Sequence, residues 1–285
     1  MSCAGSNMWC DTMCDGIIFD IKEFSIHDGP GARATVFLKG CPLRCLWCHN
    51  PEGLQSIPQL MVKEALCIHC GRCRYPCGHA ECQPYGRCIH ACANGCLTVA
   101  GRTVTAAQLA EQLRKLADFF AMTGGGITFS GGEPLQQSAF VCETADRLAG
   151  MHLALQTSGY ADEDVYRRVI GKFDYIMQDI KLADEREHIR YTGVSNGKIR
   201  NNIAYLKRSG KEFVFRIPLI PGITDTEENL KGCSEIAGDC PVELLQYNPL
   251  AGAKYAMLGM RYALAVEKNR DAAYTDFFQN ARLVR

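Results

Sequence analysis

The stretch ATVFLKGCPLRCLWCHN, residues 34–50, runs a β-rich segment, Ala34 to Lys39, straight into a loop that carries Cys41, Cys45 and Cys48. Val, Thr and Phe suit a pleated, buried surface, and Gly40 ends the run where the chain must turn. Three thiols so closely spaced are one ligand short of a closed structural metal site, and a vacant position is the mark of a reactive metal. A strand followed by a polar, functional loop is a pairing that the chain then repeats.

Five more strand-like runs follow: GITFS (126–130), LALQT (153–157), YIMQD (175–179), FVFRI (213–217) and ELLQY (243–247). Amphipathic segments separate them. In TAAQLAEQLRKLADFF (105–120), Leu109, Leu113, Leu116 and Phe120 fall on one helical face, and Thr105 with Gln108 has the spacing of a capping box. Similar helices are predicted over 136–149, 162–171, 197–209 and 226–237. Strands alternating with helices imply an α/β fold with a parallel sheet. Six such units predict a partial (β/α)6 TIM-type barrel, and the cysteine-crowded stretch over 62–100, which breaks this rhythm with runs such as CIHCGRCRYPC, reads as an inserted ferredoxin-like iron–sulfur module. The loops GCPLRCLWC, GGEP, SGY, IKLAD, PLIPG and NPLAG all follow strand C-termini, the end at which such barrels build their active sites.

Residues 1–15 read as a disordered tail, 16–61 and 101–259 as the barrel, 62–100 as the insertion, and 260–285 as a C-terminal helical extension. At 285 residues and 47% hydrophobic content, the chain can bury one sizeable core. Its 31 basic and 31 acidic residues cancel, and no Lys or Arg run suggests a phosphate-tracking surface, so nucleic acid is not an expected partner. No stretch approaches the ~18 apolar residues of a membrane span, and no signal pattern opens the chain. A cytoplasmic protein with no membrane partner is the expectation.

Cysteine is the outlying residue, at 17 copies, 11 of them between Cys41 and Cys96. An odd count in CxxxCxxC and CxxCxxCxxxC clusters, without a secretion signal, argues for thiolate metal ligation over disulfides. Cys142, Cys233 and Cys240 read as buried small hydrophobes, and Cys3, Cys10 and Cys14 as tail residues. The triad Cys41, Cys45 and Cys48 can wrap one face of a cubane, each thiolate taking one iron and leaving the fourth iron open. His49 is a poor fourth ligand, because neighbours on a tight loop rarely both reach one metal.

CPLRCLWC also matches the CxxxCx(aromatic)C motif of the radical S-adenosylmethionine superfamily. Together with DGPGARATVFLKGCPLRCLWCHNPE (28–52) and GGGITFSGGEPL (124–135), it makes the chain, from about Gly16 to Gly259, resemble the activating enzymes of glycyl radical enzymes, the pyruvate formate-lyase activase group. The resemblance implies that the open iron of a [4Fe-4S] cluster is chelated by the amino and carboxylate groups of S-adenosylmethionine. It places Trp47 against the adenine, with His49 beside it. Gly131 and Gly132 would allow close approach of the cofactor, and Glu133 would pair with its ammonium. Asp179, Ile180 and Lys181 match the group's strand-end DxK, the carboxylate meeting ribose or ammonium and the lysine the cofactor's carboxylate. Arg216 is a further carboxylate contact, and Thr157 and Ser158 stand near the cofactor. Asn248, where the group has His, keeps a hydrogen bond to a ribose hydroxyl but cannot titrate. Gln156 replaces the Asp of the group's Asp-Thr-Asn-Gly, which removes that Asp as a cation ligand. The bland alternatives are a core tryptophan at 47 and a surface ion pair at 179 and 181.

In the insertion, CIHCGRCRYPC supplies Cys67, Cys70, Cys73 and Cys77 in the ferredoxin spacing whose fourth cysteine serves the other cluster. CQPYGRCIHAC repeats it with Cys82, Cys88 and Cys92, but Tyr85 stands at the second position. The crossing rule assigns Cys67, Cys70, Cys73 and Cys92 to one auxiliary [4Fe-4S] cluster. Cys77, Cys82 and Cys88 fall to a second, whose missing ligand is Cys96 or one of His69, His79 and His90. One or two auxiliary clusters are expected, against a pair of zinc knuckles, whose usual spacing is wider.

The resemblance further implies one electron from a flavodoxin or ferredoxin, cleavage of S-adenosylmethionine, and abstraction of a hydrogen from a glycine in a loop of a partner glycyl radical enzyme. HDGPGAR (27–33) is a candidate clamp for that loop, or a plain Gly-Pro turn. The rival readings are a radical enzyme acting on a small molecule and a ferredoxin-like electron carrier, which has no use for a barrel or for SGGEP.

Overall fold

A computed structural model describes residues 14–264 and 273–284. The tail at 1–13 and residues 265–272 of the expected C-terminal extension lie outside the described residues. In chain order, the chain forms β1 (Asp15–Ser25), β2 (Arg33–Leu38), β3 (Gln59–Val62), β4 (Leu97–Ala100), β5 (Arg102–Thr105), α1 (Ala106–Arg114), α2 (Ala117–Thr123), β6 (Gly126–Gly131) and α3 (Ser138–Arg147). There follow β7 (Leu153–Thr157), α4 (Glu163–Ile170), β8 (Tyr175–Asp179), α5 (Glu185–Thr192), α6 (Gly197–Leu206), β9 (Glu212–Leu219), α7 (Glu227–Ala237), β10 (Val242–Gln246), α8 (Ala251–Met257) and β11 (Ala281–Val284). No described helix is long and apolar enough to cross a membrane.

The six predicted strands are β2, β6, β7, β8, β9 and β10, in that spatial order and all parallel. Three additions were not read from the sequence. β1 and β5 extend the β2 edge antiparallel, and β11 extends β10 in parallel. Of the helical extension expected at 260–285, the described residues 273–284 instead form a 3-10 turn and β11, whose backbone covers the otherwise open edge of β10. The helix predicted over 105–120 starts on the expected capping box, then breaks at a tight turn where the Leu116 N–H donates to the Leu113 carbonyl. Phe120 still reaches the core from α2. α5 was missed because its sequence is largely polar; the Asp184 side chain caps it by accepting from the Glu187 N–H at 2.9 Å.

Alternate residues of the strands face opposite ways. Val36, Phe129, Leu155, Ile176, Phe215 and Leu244 join Leu109, Leu113, Phe140, Tyr166, Ile203 and Leu230 of the helices in one core. The opposite face carries a smaller cluster, Ala154, Met177 and Val214. The guanidinium of Arg216 on β9 donates to the His27 carbonyl in the turn between β1 and β2. Among the described residues β5 and β11 do not pair, so the barrel is partial.

The turn between β1 and β2 fills the N-terminal end of this barrel. A Cβ placed on Gly29 would stand 3.5 Å from that of Ala154 and 3.8 Å from Cε of Met177. Asp28 accepts from Thr35 Oγ1 at 2.7 Å, and its carbonyl accepts from Thr128 Oγ1 at 2.6 Å. Arg33, fully buried, donates to Thr128 Oγ1 and to the Ile127 carbonyl. HDGPGAR therefore plugs the end opposite the strand C-termini and does not clamp anything at the mouth.

The insertion stands on a stem. β3 and β4 pair antiparallel from Gln59↔Ala100 to Val62↔Leu97, and the Lys63 N–H donates to the Cys96 carbonyl at 2.8 Å. Beyond it, residues 63–96 form 3-10 turns and loops, with Leu66, Ile68 and Tyr75 exposed. So little apolar burial in so short a module leaves staples to hold it.

Candidate active site

All six strand-end loops converge at the C-terminal mouth. Trp47 from the loop after β2, Leu182 after β8, Ile220 after β9 and Tyr247 after β10 bury one another in a cluster of their own, with Cys45 and Tyr191 packed against it. The loop after β6 joins on the other side, where the Gly132 and Glu133 N–H groups donate to the carbonyls of Leu38 and Gly40 at 2.7 and 2.8 Å. Thr157 and Ser158 complete the ring through Glu133.

The cysteine loop is held from two sides. The Gly40 and Cys41 N–H groups donate to the carbonyls of Gly53 and Leu54, and those of Arg44 and Leu46 donate to Thr192 and Tyr191 at the end of α5. None of the described cysteines is in a disulfide. Burial pushes the Cys41 and Cys45 thiols up to about 12 and Cys48 to about 11, while the Lys181 ammonium pulls all three the other way. Burial also opposes the charge on Lys181, but Asp179 at 2.7 Å, with the Cys45 and Cys41 sulfurs, outweighs it and holds that ammonium above its ordinary value.

Several predicted residues have protein partners. Glu133 is fully buried, and its carboxylate accepts from the Leu135 N–H at 3.1 Å, Thr157 Oγ1 at 2.6 Å, the Ser158 N–H at 2.8 Å and the Ser158 hydroxyl. A carboxylate offers about four lone-pair sites, so Glu133 ties the β6 and β7 loops together and has no room for the expected ammonium. Gly131 and Gly132 are required by the protein itself: a Cβ on either would lie within 2.6 Å of backbone atoms of Leu38, Gly40 or Gly53. Arg216 turns away from the mouth to Glu243, its Nε donating to Oε2 at 2.7 Å. Ile180 is buried, its N–H donating to the Arg216 carbonyl. His49 and Asn248 are exposed, and Asn248 Oδ1 accepts from the Leu250 N–H in a local turn.

Residues that the sequence reading passed over also belong here. Lys254 of α8 donates to Glu52 Oε1 at 2.6 Å and Asn50 Oδ1 at 3.1 Å, fastening α8 over the cysteine loop. Tyr255 and Tyr262 pack beside it at a tilt of 51°, ring centroids 4.9 Å apart, with Tyr262 hydrogen-bonded to Tyr247. Lys254 and Tyr255 lie just past NPLAG, where the strand-end rule already pointed.

The donor set fits an iron–sulfur cluster and its cofactor. Thiolates are costly in this burial unless a positive centre compensates them, and Lys181 alone does not bring the three thiols down to the ordinary range. Glu52 Oε2, on the same loop, is buried without a protein partner.

In the insertion, Cys67, Cys70, Cys73 and Cys92 line one cavity of about 480 Å³. Cys96 also lines it, buried, with its thiol interacting with those of Cys92 and Cys67. Cys77, Cys82 and Cys88 line a separate cleft of about 180 Å³.

Residues 35–231 match the radical SAM superfamily model. The chain is 34% identical to the choline trimethylamine-lyase activating enzyme of Oleidesulfovibrio alaskensis, over 87% of this chain and 88% of that one. It is 36% identical to the (2S)-3-sulfopropanediol dehydratase activating enzyme of Klebsiella oxytoca, over 90% and 89%, and 35% identical to the trans-4-hydroxy-L-proline dehydratase activating enzyme of Clostridioides difficile, over 86% and 89%. A radical SAM methyltransferase from Sphaerobacter thermophilus shares the fold, with a TM-score of 0.52 at 15% identity over 88% of this chain and 66% of that one.

Proposed function

The chain belongs to the radical SAM superfamily, among the activating enzymes of glycyl radical enzymes, and from that premise we propose how its own residues divide the work. With a [4Fe-4S] cluster and S-adenosylmethionine bound, such a site supplies, on one-electron reduction, methionine and a 5'-deoxyadenosyl radical that takes a hydrogen atom from a glycine of the partner enzyme. Cys41, Cys45 and Cys48 hold the cluster. Lys181, oriented by Asp179, binds the carboxylate of the sulfonium cofactor. Trp47 and Tyr247 wall the adenine side, and the backbone after Gly131, locked by Glu133, meets the amino acid end. The plug between β1 and β2 closes the opposite end, so the glycine loop of the partner enters at the strand C-termini. Cys67, Cys70, Cys73 and Cys92 would hold one auxiliary [4Fe-4S] cluster, which would supply a redox centre accessible to a donor such as a flavodoxin or ferredoxin. The free thiols fit a reducing compartment such as the cytoplasm.

The observation that carries this division is the Lys181 ammonium, ion-paired at the end of β8 and acting on all three triad thiols. Electron paramagnetic resonance of the anaerobically reduced protein, mixed with S-adenosylmethionine and a panel of glycyl radical enzymes, tests it. The expected result is a glycine-centred doublet with one partner, abolished by Cys45→Ser and strongly weakened by Lys181→Met. A doublet that persists undiminished in Lys181→Met would overturn the assignment.

A further inference from the structure

The insertion repeats one tripeptide. Gly71-Arg72-Cys73 and Gly86-Arg87-Cys88 each open on a left-handed glycine, at φ of 73° and 60°, a conformation that glycine adopts without strain. The two copies meet: the Cys88 N–H donates to the Cys73 carbonyl at 2.7 Å, which brings Arg87 of the second copy alongside Cys73 of the first. Its guanidinium closes on that sulfur as a fork, with Nη2 at 3.2 Å and Nε at 3.4 Å from Cys73 Sγ. The repeat does not reciprocate. Arg72 is exposed, and the sulfur of Cys88 has His79 Nδ1 beside it at 3.7 Å.

Among the described residues of the insertion, Cys73 alone has its sulfur hydrogen-bonded to a permanently charged donor. Cys67 Sγ faces a histidine nitrogen, Nδ1 of His69, at 3.9 Å, and Cys92 Sγ accepts from the Cys96 N–H at 3.4 Å. Arg87 is half-buried and lines both the larger cavity and the cleft beside it, so the contact is screened less than it would be at an open surface. Reduction of an iron–sulfur centre adds negative charge that its sulfurs share, and donors aimed at those sulfurs favour the reduced state.

Granted that Cys73 ligates an iron–sulfur cluster, as proposed above, we propose that Arg87 is a positioning residue for electron entry: through Cys73 it raises the reduction potential of the centre which that cysteine holds. This is a task beyond joining the two halves of the module, because a contact that only joined them would leave the potential unmoved.

The test is an anaerobic redox titration of the iron-loaded full chain, followed by electron paramagnetic resonance. The signal to follow is the one that Cys73→Ala abolishes. Arg87→Met should move its midpoint to more negative potential by about 59 mV, the equivalent of a tenfold loss in a one-electron equilibrium, with iron content unchanged. The cluster held by the triad, recognised by its response to S-adenosylmethionine, should keep its midpoint. Arg87→Lys, which retains the charge and loses the fork, should fall between the natural chain and Arg87→Met, and if Arg87→Met does not load iron the same criterion applies to Arg87→Lys. A Cys73-dependent signal whose midpoint does not move overturns the role of Arg87 and leaves the cluster reading standing. The lack of any signal that depends on Cys73 overturns both.

Discussion

Glu133 and Ser158 meet twice across the gap between the ends of β6 and β7, through the Ser158 N–H at 2.8 Å and through its hydroxyl, both on Oε2. With Thr157 and Leu135 on Oε1, every contact to this buried carboxylate is a donor. Glu133→Gln sets an amide NH2 against those donors. Loss of a charged hydrogen bond costs about 1.5–3 kcal/mol, and the thermal midpoint of the cluster-loaded variant should fall accordingly, as measured by calorimetry under anaerobic conditions. An unchanged midpoint would show that this contact does not hold the loops.

Lys181→Met removes a cation that acts on all three triad thiols. If the ammonium meets the cofactor's carboxylate, equilibrium binding of S-adenosylmethionine should weaken by about tenfold to a hundredfold, the equivalent of one charged hydrogen bond. Iron content should stay level. Asp179→Asn should give a smaller loss, because it misorients the lysine and leaves its charge.

Arg216 and Glu243 are each only 5% exposed and form a pair at 2.7 Å. Breaking a buried pair from one side costs about 3–5 kcal/mol; Arg282, which also reaches Glu243, should hold the loss for Arg216→Met at the lower end. Chemical denaturation should register that loss while affinity for S-adenosylmethionine stays within twofold. A large affinity loss with unchanged stability would return Arg216 to the cofactor site.

His188 is buried, its Nδ1 2.7 Å from the Val194 carbonyl and 2.9 Å from Thr192 Oγ1. Burial lowers its pKa below the ordinary 6.5, with Lys181 adding to the effect. As pH falls through 6.5, the unfolded chain takes up a proton that the folded chain refuses, so stability declines, by up to about 1.4 kcal/mol per pH unit for one proton. Urea unfolding between pH 7.5 and 5.5 should therefore show a shallower acid-side loss in His188→Gln than in the natural chain.

The parallel strands were legible because each is buried on a short β-rich run and ends in a polar loop. β1 was not, since only the first half of Asp15–Ser25 alternates buried and exposed residues. The triad and the first four cysteines of the insertion stand out by their spacing, which is local. What escaped is long-range. Lys254 meets Glu52 across 202 positions of chain, and nothing in either neighbourhood announces the other. For HDGPGAR the turn reading held and the clamp reading did not, and a signal existed: a segment that precedes a parallel strand lies at its N-terminal end, away from the active-site loops. Glu133 shows the limit of motif reading. The motif marks the right loop, and only the donors around the carboxylate reveal that it serves the fold.

The cysteine-rich insertion leaves the barrel on a single two-stranded stem. Val62 and Leu97 face each other across an antiparallel ladder, and a two-residue turn suffices to join such strand ends. The module is therefore a cassette: excised at that point, it would leave every strand of the nine-stranded sheet and every barrel loop in place. Its gain, loss or exchange in a lineage would need no redesign of the cysteine triad or of the strand-end loops around it.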